Sequence, residues 1–368
     1  MFLLARCWHR INRWANLCAV NSFGLRAVVC PDKFSGTLTA GEAAAAMAAG
    51  LMRAGFSDVV QAPLADGGEG SLETIHESLG GSIRSTRVTG PLGSEVLAEW
   101  LVIPNGTAVI EMAKASGRAL VEGRSDPLGA TTRGTGELIA AARASGVRRV
   151  IVCVGGSAST DGGLGALEAL GWSLRGLDVT VACDVTTTFV AAAREFAPQK
   201  GATPAQVQLL TGRLERLSAD FLQRTGVDVS EVEGSGAAGG LAGGLCAIGA
   251  YLEPGFDVIA RIVGLDTAMV GADLVMTGEG RVDASSFAGK VVGGVIDAAF
   301  DEGVPNCCVI AGQITEDARN HLAKLPTVLG LALTDRVWTP SEAFLRVALL
   351  VEEAALEGGR YALSSEKP

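Results

Sequence analysis

The residues that could do chemistry gather in five short polar clusters. The first is Pro31-Asp32-Lys33-Phe34-Ser35-Gly36 and the second Ala65-Asp66-Gly67-Gly68-Glu69-Gly70. The third runs from Gly155, Gly156 and Ser157 through Asp161 to Gly163. The fourth spans Gly234–Gly240 and includes Gly236 and Gly239. The fifth is Thr277-Gly278-Glu279-Gly280-Arg281-Val282-Asp283, with Gly289-Lys290 downstream. Each follows an apolar run or opens a helical stretch. Bare backbone N–H groups at a helix start favour anions. Carboxylates among such glycines suit a magnesium ion bridging a polyphosphate. Together the clusters predict a site for nucleotide binding and phosphoryl transfer. The ordinary alternative for each is turn chemistry: Asp32 and Asp66 as helix caps, Asp161 in an Asx-turn. Cys183-Asp184-Val185 adds a carboxylate at a strand end, either a base or a cap.

Two local matches carry less than their letters suggest. Gly234-Ser-Gly-Ala-Ala-Gly239 fits the dinucleotide fingerprint. That motif must follow an apolar strand, and Val227–Glu233 carries Asp228, Glu231 and Glu233 instead. Gly289-Lys290 lacks the upstream glycine and the following hydroxyl residue of a P-loop, so it is not one.

The elements that must position these clusters follow from periodicity. Leu25–Pro31 and Val59–Leu64 read as buried strands. Between them lies an Ala-rich helix that starts at the Thr39/Glu42 capping box and stops at Gly55. This β-α-β texture implies a parallel sheet. Ile83–Thr89, Glu95–Ile103 and Thr107–Met112 read as short strands separated by turns, an antiparallel texture. Alternating helices and strands follow: helix Gly136–Ser145, strand Arg149–Val154, helix Leu164–Leu170 and strand Val179–Asp184. A polar, exposed helix is predicted over Pro204–Gln223. After Gly255 the β-α-β texture returns: strand Ala272–Thr277, helix Lys290–Phe300, strands Asn306–Ala311 and Val328–Leu333, and a last helix Ser341–Glu357. The expected fold is two-domain α/β. Residues 26–80 and 255–358 form a Rossmann-like parallel-sheet domain. Residues 81–254 form an inserted α/β domain with mixed and antiparallel strands, leaving a ligand cleft between them.

Composition bounds the rest. Hydrophobic residues make up 48% of 368, enough for large cores and against overall disorder. Glycine reaches 49 residues without a Gly-X-Y period, so collagen is excluded and close backbone turns are implied. The net charge of -10 and the lack of a basic stripe argue against nucleic acid. No apolar run of membrane-spanning length occurs. The eight cysteines form no Cys-x-x-Cys pair and read as reduced, buried thiols of a cytoplasmic protein. Residues 1–25 hold Arg6, Arg10 and Arg13 with Trp8 and Trp14 and no acidic residue. They read as a non-core extension, with a mature start near Leu25.

The set of motifs resembles the type-1 glycerate kinase family. The resemblance rests on Ala65-Asp-Gly-Gly-Glu-Gly70, Gly134-Thr-Gly-Glu-Leu138, Gly155-Gly-Ser-Ala158 with Asp161-Gly-Gly163, Ala182-Cys-Asp-Val185, Pro198-Gln-Lys-Gly201 and Thr277-Gly-Glu-Gly280. It runs in order from Ala27 to the final helix. It implies ATP-dependent phosphorylation of D-glycerate to 2-phosphoglycerate or 3-phosphoglycerate. It also implies a Rossmann-like domain with an inserted one, in a monomer or homodimer without nucleic-acid or membrane partners. Within that chemistry Asp184 is the expected base, with Asp32 as its rival. Asp66, Asp161 and Glu279 are expected to hold Mg2+. Lys33, Lys200, Arg281 and Lys290 are the expected clamps for phosphates or the glycerate carboxylate, and the planar fork of Arg281 suits the carboxylate. Gly155, Gly156, Ser157, Gly236 and Gly239 are expected to offer donors to phosphate. Thr186–Arg194 replaces the family's usual continuation after Val185, and the link from Trp172 to Val179 is short. Two alternatives therefore stand beside the kinase: a ligand-binding relative with weakened catalysis, and a kinase for a related small sugar acid.

Overall fold

A computed structural model describes residues 24–364 apart from Trp338. The expected extension at 1–25 thus lies outside the described residues except for Gly24 and Leu25. Strand β1 (Arg26–Val29) leads through helix α1 (Ala40–Ala54) to β2 (Asp58–Gln61). Helix α1 starts where its sequence says it should. The Glu42 N–H donates to Thr39 Oγ1 at 3.1 Å, and the Thr39 N–H donates to Glu42 Oε2 at 2.9 Å. Gly55 closes it in the left-handed region, φ 111°. Helix α2 (Ser71–Leu79) and strands β3 (Ser82–Thr89), β4 (Glu95–Val102) and β5 (Thr107–Glu111) follow. Next come α3 (Arg133–Ala144), β6 (Arg149–Cys153), α4 (Leu164–Leu170), β7 (Asp178–Cys183), α5 (Pro204–Thr225), α6 (Leu241–Ala247) and β8 (Tyr251–Pro254). The chain ends with α7 (Gly255–Val263), β9 (Leu274–Val282), α8 (Val291–Asp301), β10 (Cys307–Ile314), α9 (Glu316–Leu322), β11 (Val328–Ala332) and α10 (Val347–Ser364).

The expected mixed α/β class is the one observed. One sheet has the order β11-β10-β9-β1-β2 and is parallel throughout. It draws strands from both ends of the chain. The other has the order β3-β4-β5-β6-β7-β8; its first two pairings are antiparallel and the rest parallel.

Alternating side chains on these strands go to opposite faces, which stacks the molecule in layers. Met47 and Leu51 of α1 and Leu350 and Val351 of α10 pack with Val29 and Met276 on one face of the parallel sheet. Leu72 of α2, Ile259 of α7 and Val295 of α8 fill the space between the sheets. They touch Val28 and Val275 on one side and Val109 and Ile151 on the other. Leu138, Ala166 and Leu241 cover the far face of the mixed sheet against Ile110 and Val152.

Three elements differ from expectation. Strand β9 does not stop at Thr277 but runs on to Val282, pairing Glu279 with Ala311 and Arg281 with Gln313. The fifth cluster is therefore strand and not loop. Helix α5 is not polar all round: it buries Leu210, Leu214 and Phe221 in a satellite core. The closing helix breaks at Arg346 into two pieces. The Thr186–Arg194 segment is pinned by Phe189, which is fully buried and meets Phe221 edge to face at 5.7 Å. The six described cysteines are unpaired, and all but the half-buried Cys246 are buried.

Candidate active site

The clusters meet where the strands of both sheets end. Asp32 follows β1; its N–H donates to Gly278 O at 2.8 Å, tying the first cluster to the fifth. Asp66 lies between β2 and α2 and accepts from the Gly68 N–H at 2.9 Å. The Lys33 ammonium donates to Glu69 O, joining the first and second clusters. The third cluster arrives from the mixed sheet and lies backbone to backbone on the second. A Cβ on Gly155 would sit 2.6 Å from Gly68 Cα and 2.8 Å from the Glu69 N, so only glycine allows this approach.

Four carboxylates share this meeting point. Burial, and then the Asp66 charge, push Asp32 up to about 7, with Lys33 opposing. Burial and Asp66 also raise Asp184, with Lys290 opposing. Burial raises Glu279 against the pull of Ser286 and Lys290, and Asp66 adds to the rise. Asp66 thus sits within electrostatic reach of the other three. Glu279 Oε1 is buried and has no hydrogen-bond partner. Crowded, unneutralised carboxylates of this kind favour a bound cation. Among the described residues no group of three or more His, Cys, Asp or Glu side chains is arranged to hold a metal ion.

Other expected site residues stand differently. Asp161 accepts from the Thr132 N–H at 2.8 Å and its hydroxyl at 2.9 Å, and from the Gly163 and Gly165 N–H groups at 3.1 and 3.3 Å. Its oxygens are occupied in tying α3 to α4, not gathered with Asp66 and Glu279. Lys200 is 4% exposed, and its ammonium donates to Ser157 Oγ at 2.8 Å and Ser159 O at 2.5 Å. Burial is the main force holding it down to about 7. It props the third cluster from beneath. The Gly236 N–H donates to Thr187 O at 2.9 Å. Gly239 is packed so that a Cβ would fall 2.1 Å from Ser159 O. Both glycines join loops together here. Arg281 lies largely exposed on β9, 3.4 Å from Gln313 Oε1. Lys290 precedes α8.

Two functional candidates escaped the sequence. Arg118 is exposed, and its backbone N–H donates to Gly156 O at 2.8 Å beside the Gly117–Ser157 bridge. With Gly156, Ser157, Asp184, Gln199 and Ala238 it lines a pocket of about 220 Å3. Nothing in its local sequence marks it. Glu111 ends β5, 1% exposed, and accepts from the Leu72 N–H at 3.3 Å at the start of α2. Its signal was available: a carboxylate closing an apolar strand, as at Asp184.

The comparisons with known proteins identify the family. The model of the glycerate kinase family matches residues 27–176 and 173–360. A protein of Escherichia coli K12 named glycerate 2-kinase is 39% identical, with 80% of this chain and 86% of that protein covered. The glycerate kinase of Bacillus subtilis 168 is 37% identical over the same shares. A crystal structure from Salmonella typhimurium LT2, described as a "putative glycerate kinase 2", superposes with a TM-score of 0.80 at 33% identity. It covers 94% of this chain and 100% of its own. With the family matched along nearly all the described residues and the motif clusters drawn to one place, the chain belongs to the glycerate kinase family.

Proposed function

We propose that this protein transfers the γ-phosphoryl group of ATP to D-glycerate, with Mg2+, and forms 2-phosphoglycerate. The observation that carries the reading is the convergence of Asp32, Asp66, Asp184 and Glu279 with Lys33 and Lys290 at the strand ends of both sheets. Phosphoryl transfer needs charge neutralisation, alignment and a proton acceptor, and little else from the protein. The oxygen-only donor set and the orphaned Glu279 Oε1 fit magnesium. Magnesium usually takes one or two carboxylates and completes its shell with water and phosphate. Asp66 and Glu279 would hold it, with Asp32 beside them. When bound, the ion would neutralise charge on the transferring phosphates. Lys33 and Lys290 clamp the phosphate oxygens. Asp184 takes the proton of the attacking hydroxyl. Asp161, Lys200, Gly236 and Gly239 serve as supports of the loops, and residues 81–254 form the inserted unit. The 2-phosphate product is supported by the name of the Escherichia coli relative. The reading places the enzyme in the cytoplasm, where ATP is supplied.

The test is ADP release from ATP-magnesium by the purified protein with D-glycerate, L-glycerate or hydroxypyruvate as acceptor. Turnover is expected with D-glycerate. The product should show a phosphorus doublet, from phosphate on a CH carbon; a triplet would identify the 3-phosphate. Thermal stabilisation by ATP-magnesium without turnover on any acceptor would overturn the reading.

A further inference from the structure

We infer that the pocket between the ends of β6 and β7 is the acceptor's subsite, and that Arg118 binds the carboxylate of the hydroxy acid there. The inference rests on the proposed kinase reading and assigns a side chain that the motif resemblance does not reach. At about 220 Å3 the pocket falls below the roughly 300 Å3 at which pockets begin to take drug-sized ligands. Its size suits a three-carbon acid. Asp184 lines the same wall, so an acid held there presents its hydroxyl to a carboxylate.

The choice of cation follows from what each one already does. Lys200 is spent on Ser157 and Ser159 beneath the loop. Lys33, which donates to Glu69 O, and Lys290, whose charge acts on Asp184, Glu279 and Asp283, stand at the meeting point, where the proposed function gives them to the phosphates. Arg281 leans on Gln313 and Asp283 from the parallel sheet. Arg118 alone of these lines the pocket, and it makes only a long side-chain contact, to Gln199 O at 3.5 Å. Its backbone is fastened to Gly156, so the guanidinium has a fixed origin and a free fork. Ala238 adds an independent mark. It is a non-glycine residue at φ 54° on the pocket wall, an uncommon conformation that this chain shares only with Trp172 among its described non-glycine residues.

The experiment compares the full-length wild type with Arg118→Ala, Arg118→Lys and Arg281→Ala, measuring kcat and KM for D-glycerate and for ATP. Loss of a paired, charge-assisted contact predicts a rise of about tenfold or more in the KM for D-glycerate in Arg118→Ala. The KM for ATP should stay within about twofold, and Arg118→Lys should recover only part, because a point charge replaces a fork. Arg281→Ala should raise the KM for D-glycerate less than Arg118→Ala does. A rise in the ATP KM in Arg118→Ala, or a larger glycerate effect in Arg281→Ala, overturns the inference. If the wild type prefers another hydroxy acid, the D-glycerate assignment falls, and the same KM split is then read on that acid to decide the Arg118 role. Thermal shifts with D-glycerate and glycerol guard against a folding defect. The wild type should respond to the acid and not the alcohol, and Arg118→Ala should respond to neither while melting at the wild-type temperature.

Discussion

At the scale of single residues, the site divides charges that wait for a ligand from charges already spent. Asp184 belongs to the first kind. Its proposed role as proton acceptor predicts that Asp184→Asn lowers kcat by about 10²- to 10⁴-fold with a small change in the KM for D-glycerate. Near-normal turnover would remove it from that role. Lys200 belongs to the second kind. Its amine binds protons less tightly folded than unfolded, with a folded value of about 7 against an ordinary 10.5. Its favourable contribution to stability is therefore complete above 10.5 and lost as pH falls toward about 7. Compared with Lys200→Met, the wild type should gain stability as pH rises through that window, by at most about 1.4 kcal/mol per pH unit. Parallel melting curves from pH 7 to 9.5 would contradict it. The sequence marked Asp32, Asp66, Asp184 and Glu279 as chemical because several glycine clusters in one chain carry carboxylates, although each alone could be a cap or a turn. It could not separate Asp161 and Lys200 from them. Residue type shows a charge, and only packing shows whether another group has already claimed it.

At the scale of elements, capping and periodicity were legible and long-range contacts were not. The Thr39/Glu42 box and Gly55 bounded α1 because those signals act within one turn. The extension of β9 through a glycine-rich run was hidden, since pairing with β10 overrides the turn preference of Gly278 and Gly280. Helix α5 looked polar because its apolar residues are sparse, yet Leu210, Leu214 and Phe221 fall on one side. Glycine tests this scale with opposite signs. Gly155→Ala would press a Cβ into the backbone of Gly68 and Glu69, which cannot turn away. It should cost roughly 1–3 kcal/mol and lower kcat by moving the Asp66 loop. Gly212→Ala lies within α5 with only the end of Arg216 nearby, at 3.7 Å. It should stabilise by about 0.5–1 kcal/mol. Chemical denaturation of both variants reads the two signs, and a shared sign would show that the glycines act some other way.

At the scale of the whole molecule, the helices between the sheets decide the behaviour. That strands from both ends of the chain share the parallel sheet was legible because antiparallel texture interrupts β-α-β texture. A shared apolar layer was not, because no local pattern says which sheet a helix face will meet. Leu72, Ile259 and Val295 lie in one buried cluster with strands of both sheets, so neither sheet keeps that core without the other. Calorimetry should therefore record one cooperative transition, and two separated peaks would contradict it. The same connectivity governs how the molecule is made. Strand β1 leaves the ribosome early, but its neighbour β9 begins only at Leu274. At bacterial synthesis rates that wait is on the order of tens of seconds. The mixed sheet, continuous in sequence from Ser82 to Pro254, meets each of its partners as it emerges. The nascent chain thus carries an unpaired strand edge and an uncovered face of α2 for most of its translation, and that interval is when a chaperone has something to hold.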